Sequence, residues 1–414
     1  MRQFWIYSLT ALGIAIFDLV DSAFGNNLGI DSICVMSAFI VITWCASAVG
    51  NFGTYAYEVK QGCLTECIIM QVGAASAAAL IIGGFSKQLP HMYKLTDKQY
   101  ELMSKCLLCY SVFLVIKQTA GFLKNYITIQ CRNKVIVTSN ILFYICMIGL
   151  DALVIVFKGE CWHLVLTTGI SYLVLFIYCL AFGKVIPDMK RPSIARLKEC
   201  CKCAKDILLD RICGKVATVV FNICASHLGT ELYALHGIGY DIATSAEYIT
   251  DEWYRMQIVR LHGIDDWKEK LKEKKKLQKK MFLPSVFLSY LLMFILIIPL
   301  HGQTDLKMAT FISSLYVTQQ ILLCPYENSR GFLTSIENTK SLQYGGLIGT
   351  VIRVPISIIS IITPIGIYGF AFGSGIDFLI RGLYYTRECN KSVKRWEQTQ
   401  TKSLEQSEIR AVAQ

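Results

Sequence analysis

The sequence predicts an all-α integral membrane protein of about twelve transmembrane helices in two pseudo-symmetric six-helix bundles. Three observations predict it. Hydrophobic residues make up 54% of the chain, above the roughly 45 to 50 per cent of ordinary soluble proteins. Apolar windows of bilayer length recur from end to end, and Lys and Arg gather in alternate connections between them.

A span needs about 20 mainly apolar residues, because each backbone amide has to find its partner inside its own helix. Windows at 135–157, 162–182, 281–300 and 347–372 qualify cleanly, and weaker ones fall at 4–24, 33–57, 63–85, 100–123, 206–228, 233–258, 308–329 and 374–387. Pro364 divides the stretch after 347 into the eleventh span and the start of the twelfth. The first window has an arginine ahead of apolar residues, as a signal peptide does. Asp18 and Asp21 interrupt it and no small-residue cleavage site follows, so it reads as a retained helix.

Most of the 41 Lys and Arg residues fall at the termini and in the connections on the same side, including Lys184, Lys190, Arg191, Arg196 and Lys198. Positive residues mark the cytoplasmic face. Both termini are therefore expected in the cytoplasm, with the chain multi-pass in the cell membrane. The net charge of +11 is explained by topology, so the lipid bilayer is the expected partner and nucleic acid is not. The expected division is an N-terminal six-helix bundle at 1–183, a basic linker at 184–205, a C-terminal bundle at 206–387 and a loosely ordered polar tail at 388–414. The Lys-rich stretch 265–280 reads as a short solvated helix joining spans eight and nine.

The halves echo one another. Gly25, Leu28 and Gly29 after the first span answer Ala225, Leu228 and Gly229 after the seventh; Gly62 answers Gly263; Asn133 and Lys134 answer Thr339 and Lys340. Repeated six-helix units that enclose a midplane cavity are a recurrent transporter design. The 17 cysteines sit mostly in apolar stretches, where a thiol acts as a small hydrophobe. The group at 199–203 lacks a partner set of His or Cys at metal spacing, and Cys106 with Cys109 lies on an apolar helix, so no metal site, cofactor or disulfide framework is expected.

Ionisable residues inside spans cost about 2.5 to 3.5 kcal/mol on insertion scales, which makes each one a functional candidate. Asp18 and Asp21 share one face of the first helix, Asp151 lies inside span five, and Glu247, Asp251 and Arg255 form a stripe on span eight. Lys117, Asp210, Arg211, Lys215 and Arg353 complete the set. Carboxylates facing a cavity could exchange a proton or metal cation against a cationic substrate. Alternatively they pair locally, Asp251 with Arg255, Asp210 with Arg211, or Glu58 with Lys60 at a membrane face. An enzyme is not expected: His91, His163, His227 and His301 fall at span ends or loops, and His236 and His262 are in no paired catalytic setting.

The residues also resemble a known family. Asp21 and Gly25 followed by Leu28 and Gly29 are similar to the first-helix signature of the multidrug and toxic compound extrusion (MATE) transporters. The run from Val351 through Arg353 to Pro355 resembles that family's eleventh helix, and Gly366, Gly369, Asp377 and Arg381 its twelfth. Arg330 and Gly331 with 337–340, Asp151 near the end of span five, and Thr167 with Thr168 on span six follow in the family's order. The resemblance implies a two-bundle, V-shaped exporter driven by inward H+ or Na+. It implies a cation site at Asp21, Asp151 and Thr168, with Met147 where the family has Asn. A methionine cannot replace an amide oxygen around hard Na+, which favours H+ as the coupling ion. Asp18, Glu247, Asp251 and Arg255 are the cavity or substrate candidates.

The expected function is export of small organic, cationic or amphipathic compounds by cation antiport, the chain working as a monomer. The rival expectation is a lipid-linked oligosaccharide flippase of the same superfamily. It would want a cationic groove, for which Lys117, Lys215, Arg255 and Arg353 are available.

Overall fold

A computed structural model describes residues 23–26, 28–60, 62–301 and 304–412, with the side chains of 187, 252, 255 and 402–412 outside that description. Asp18 and Asp21 therefore lie outside the described residues, as does the side chain of Arg255. The described chain is almost wholly helical. Helices α1 (Ile30–Gly50) and α2 (Phe52–Val59) are followed by α3 (Leu64–Gly84), α4 (Asp97–Ile129), α5 (Asn133–Val156) and α6 (Cys161–Phe182). A short α7 (Val185–Asp188) leads into α8 (Ile194–Ser226), α9 (Thr230–His262), α10 (Trp267–Leu300), α11 (Leu306–Thr318), α12 (Gln320–Ser335), α13 (Thr339–Ile362) and α14 (Ile367–Val412).

Seven of these, α1, α3, α4, α5, α6, α10 and α13, are long and apolar enough to cross a membrane. Their outer faces carry large exposed apolar side chains such as Leu80, Val112, Ile145, Leu283 and Val351. Such a surface suits lipid rather than water. By contrast α8, α12 and α14 bury charged residues within their apolar windows, Asp210 on α8, Glu327 and Arg330 on α12, Asp377 and Arg381 on α14, which is why these windows read as weak spans.

Within the first half α4 packs on α3 and α6, and α6 on α5; within the second, α8 lies along α13, α14 along α12 and α13, and α9 along α10, α11 and α12. The halves touch where α1 and α2 meet α8 and α9. Asn51 separates α1 from α2, and fully buried Gln71 of α3 serves the break. Its Oε1 accepts from the Thr54 amide at 3.0 Å and its Nε2 donates to the Gln118 carbonyl at 3.0 Å. Gly53 makes the approach possible, since a Cβ there would lie 2.1 Å from the Cys67 carbonyl oxygen.

The internal repeat is visible in backbone geometry. Gly29 (φ 112°, ψ 169°) caps α1 and Gly229 (φ 98°, ψ 160°) caps α9, a region that only glycine enters cheaply. Before each, a leucine amide donates to the third carbonyl upstream, Leu28 to Gly25 at 3.1 Å and Leu228 to Ala225 at 3.0 Å. The turns after α4 and α12 match likewise. Cys131 (φ 56°) and Glu337 (φ 57°) are left-handed, and the next residues donate back to Ile127 at 3.2 Å and Leu333 at 2.9 Å.

Two expectations about the basic face change. Residues 265–280 are not a separate helix: Asp266 caps Lys268 at 2.8 Å and α10 runs unbroken into its membrane span. The stretch after Arg387 continues α14 as helix to Val412. Cys389, Val393 and Trp396 recur at helical spacing on one face, Trp396 stacks on Trp267 (ring centroids 6.1 Å), and Lys268 pairs with Glu397 at 3.1 Å. That buried face gives the polar segment a reason to fold.

Candidate functional site

The halves enclose a cavity of three connected chambers. The first, of about 280 Å³, is aromatic: Phe39 and Trp44 of α1, Tyr110 and Phe113 of α4, Phe143 of α5, Tyr172 of α6 and Tyr248 of α9 form most of its wall. Two charged groups enter it, Lys117 from α4 and Asp241 from α9. The Lys117 ammonium lies 5.2 Å from the centroid of Tyr110 and 5.3 Å from that of Tyr172, a cation–π clamp.

Trp44, Ser47, Thr244 and Tyr248 are shared with the second chamber, of about 210 Å³, which adds Glu58, Arg211, Lys215, Glu247 and Asp251. The last four continue into the third, of about 100 Å³, which runs into the second half and reaches Asp210, Glu327, Arg353 and Arg381. Helical spacing explains the layout. Arg211 and Lys215 are four apart on α8, Glu247 and Asp251 four apart on α9, and each pair shares a helix face. The Lys215 ammonium sits 4.5 Å from the Trp44 ring centroid.

Behind the third chamber lies a buried ionic core. Arg330, fully buried, pairs with Glu327 at 3.1 Å and with Asp210 at 3.4 Å. Asp377 is held by Arg381 and, at 3.5 Å, by Arg353. Tyr326 accepts from Arg381 at 2.9 Å, the Tyr385 hydroxyl donates to Asp210 at 3.3 Å, and the two tyrosine rings stack with centroids 5.5 Å apart, bringing the two groups together. Gly346 and Gly349 of α13 admit this network, since Cβ atoms would stand 2.6 Å from the Asp210 Cα and 2.7 Å from the Arg381 Nε.

Asp151 is completely buried on α5 and accepts a hydrogen bond from Thr167 of α6. Thr168, expected at the same site, donates to the Leu164 carbonyl at 2.9 Å and lines the aromatic chamber, as Met147 does. The carboxylate thus lies one layer behind the wall. Glu247 and Asp251 do line the cavity. Of the local pairs considered from sequence, Asp210 turns to Arg330 rather than Arg211, and Lys60 to Glu199 and Glu337 rather than Glu58. Neighbours one or two apart on a helix point in different directions, which explains both corrections. His236 is fully buried among aromatic rings of α8 and α9, its Nδ1 2.7 Å from the Tyr316 hydroxyl.

Contacts between the halves occur at both ends. At the basic face Lys60 lies 3.3 Å from Glu199 and 3.2 Å from Glu337, and these carboxylates, Glu337 foremost, hold its ammonium pKa above the usual lysine value. His262 Nε2 lies 3.3 Å from the Glu58 carbonyl oxygen. At the other face Asn26 donates to the Leu300 carbonyl at 2.9 Å and the Lys94 amide to Ser226 at 3.5 Å. The linker is anchored to the first half: Asp188 accepts from Tyr126 and pairs with Arg132 at 2.9 Å, which holds its carboxyl below the usual range.

No protein-family model and no curated protein matches the sequence. Solved structures do. An inward-facing multidrug resistance MATE family transporter of the MOP superfamily aligns at 12% identity with a TM-score of 0.69, over 95% of this chain and 99% of its own. A MOP superfamily transporter from Pyrococcus furiosus, described as having a binding pocket of reversed polarity that suggests a different function, aligns at 12% identity and TM-score 0.73, over 94% and 95%. The Vibrio cholerae MATE transporter VcmN in its bent form aligns at 14% identity and TM-score 0.64, over 95% and 96%. Across nearly its whole length, the chain has the fold of the MATE transporters of the MOP superfamily.

Proposed function

We propose that this protein is a secondary active transporter of the MATE type that exports small amphipathic organic compounds carrying a cationic group, by alternating access. The observation that carries the reading is the connected cavity between the halves, aromatic on one side and charged on the other, inside this fold. The basic face is then cytoplasmic, and the contacts of Lys60 there and of Asn26 at the far side are the ones that must break in turn.

Cation coupling is assigned to Asp151. Its carboxylate is buried and accepts from the Thr167 hydroxyl. Met147, one turn away, offers no hard oxygen, so the set suits a proton better than Na+. A ligand moves a conformational equilibrium only through unequal affinity for the two states, and a carboxylate that titrates as its surroundings open supplies that inequality. Asp21 remains the expected partner on the first helix. The flippase alternative is less favoured: of the cations it would use, Arg353 is paired with Asp377 at 3.5 Å, and Lys215 shares its chamber with the carboxylates Glu247 and Asp251, which would repel a pyrophosphate.

The test is uptake of ethidium into everted membrane vesicles carrying the full chain, with pH and Na+ gradients imposed separately. Uptake driven by the pH gradient supports the reading. Uptake that follows neither gradient refutes it.

A further inference from the structure

The second chamber treats its charges differently from the core behind it. Arg330 meets Glu327 at 3.1 Å and Arg353 meets Asp377 at 3.5 Å, direct pairs that neutralise buried charge. Arg211 and Lys215 on α8 face the same open space as Glu247 and Asp251 on α9, yet among the described residues no ion pair joins the two stripes. The second half thus closes its structural ion pairs and holds these four apart across a chamber of about 210 Å³.

We infer that the transported solute is zwitterionic, its acidic group docking on Arg211 and Lys215 and its ammonium on Glu247 and Asp251, with an aromatic body reaching past Trp44 and Tyr248 into the first chamber. This rests on the transporter reading above and names the substrate class of its cavity. The four groups carry no net charge together, and Glu58 adds one further acid to the chamber wall. A plain cation answers only the acidic stripe and a plain anion only the basic one, so each is held less well than a solute that answers both. A solute with both charges, turned across the cavity, gains from both, and the wrong orientation or a missing charge is penalised by an unanswered stripe. Lys215 over the Trp44 ring, 4.5 Å from its centroid, places the cationic stripe where the charged and aromatic chambers meet. Tyr248, one residue from Glu247, does the same on α9.

The experiment uses the full chain in everted vesicles under a pH gradient, with four probes: ε-dansyl-lysine, its methyl ester, its Nα-acetyl derivative and ethidium. The first three share one aromatic body and differ only in which charges they keep. ε-Dansyl-lysine should be carried about 10-fold or more faster, as kcat/KM, than either derivative. Lys215→Gln should remove its advantage over the ester and raise ester uptake, since a repelling cation has gone. Glu247→Gln should remove its advantage over the acetyl derivative, and Lys215→Arg should keep both preferences. The inference is overturned if the three dansyl probes are carried alike, if Lys215→Gln and Lys215→Arg depress all of them equally, or if ethidium moves while none of the three does. If ethidium does not move either, the transporter reading fails with it.

Discussion

Lys60, at the end of α2, places its ammonium 3.2 Å from a carboxylate oxygen of Glu337 and 3.3 Å from one of Glu199, so one side chain of the first half holds both the turn after α12 and the start of α8. The groups are partly exposed, and each such contact is weak and screened by salt.

Lys60→Gln should therefore loosen the basic face without unfolding the protein. Spin labels at Lys134 and Lys340, exposed at the starts of α5 and α13, report the separation of the halves. The population with the longer distance should rise about 2- to 5-fold, the scale of a weak surface pair, and added salt should do the same to the unsubstituted protein. Because the ammonium pKa is raised, the charged latch is complete below the ordinary lysine value and is lost only as pH climbs through the raised one. Between about pH 6 and 9 the distance distribution should not move on account of Lys60.

Removal of Arg330 tests the ionic core. Arg330→Met strands Glu327 and Asp210 in a buried setting, and losing one partner of a buried pair costs about 3 to 5 kcal/mol. Thermal unfolding in detergent should show a large fall in Tm. Lys105→Met, which breaks an exposed pair with Glu101, should leave the Tm where it was. Equal effects of the two would mean that the core is not a stabilising unit.

The repeat has an energetic signature. Gly29 and Gly229 hold the same positive-φ backbone at the heads of α1 and α9, and nothing crowds a Cβ at either position. Backbone strain alone should then set the cost of alanine, about 1 to 3 kcal/mol at each site. Gly121→Ala, inside α4 with open space around it, should be neutral or slightly stabilising. Unfolding in denaturant would reveal a lack of pseudo-symmetry as a cost at one glycine only.

Much of this was legible in the sequence because lipid demands long apolar windows, and α5 and α6 coincide with theirs to within a few residues. The Leu-Gly pairs at 28–29 and 228–229 were legible for a similar reason, since a backbone that only glycine enters leaves glycine behind. Partners across the fold were not. Nothing near Asp210 points to Arg330, and the adjacent Arg211 is a false lead because it faces the cavity. Asp151 stood out as an acid with no basic neighbour, yet the Thr167 hydroxyl that donates to it was not singled out, because that contact depends on the rotation of α6, which composition does not record. The helical tail depended on Trp396 finding Trp267, a contact that spacing suggests only once both helices are in place.

The most direct test of the account is proton-driven transport by purified protein in proteoliposomes, comparing the unsubstituted chain with Asp151→Asn. The account predicts that an imposed pH gradient accelerates ethidium movement severalfold in the unsubstituted protein while a Na+ gradient does not, and that Asp151→Asn abolishes the acceleration yet still exchanges solute down its own gradient. Undiminished pH-driven transport by Asp151→Asn would contradict it.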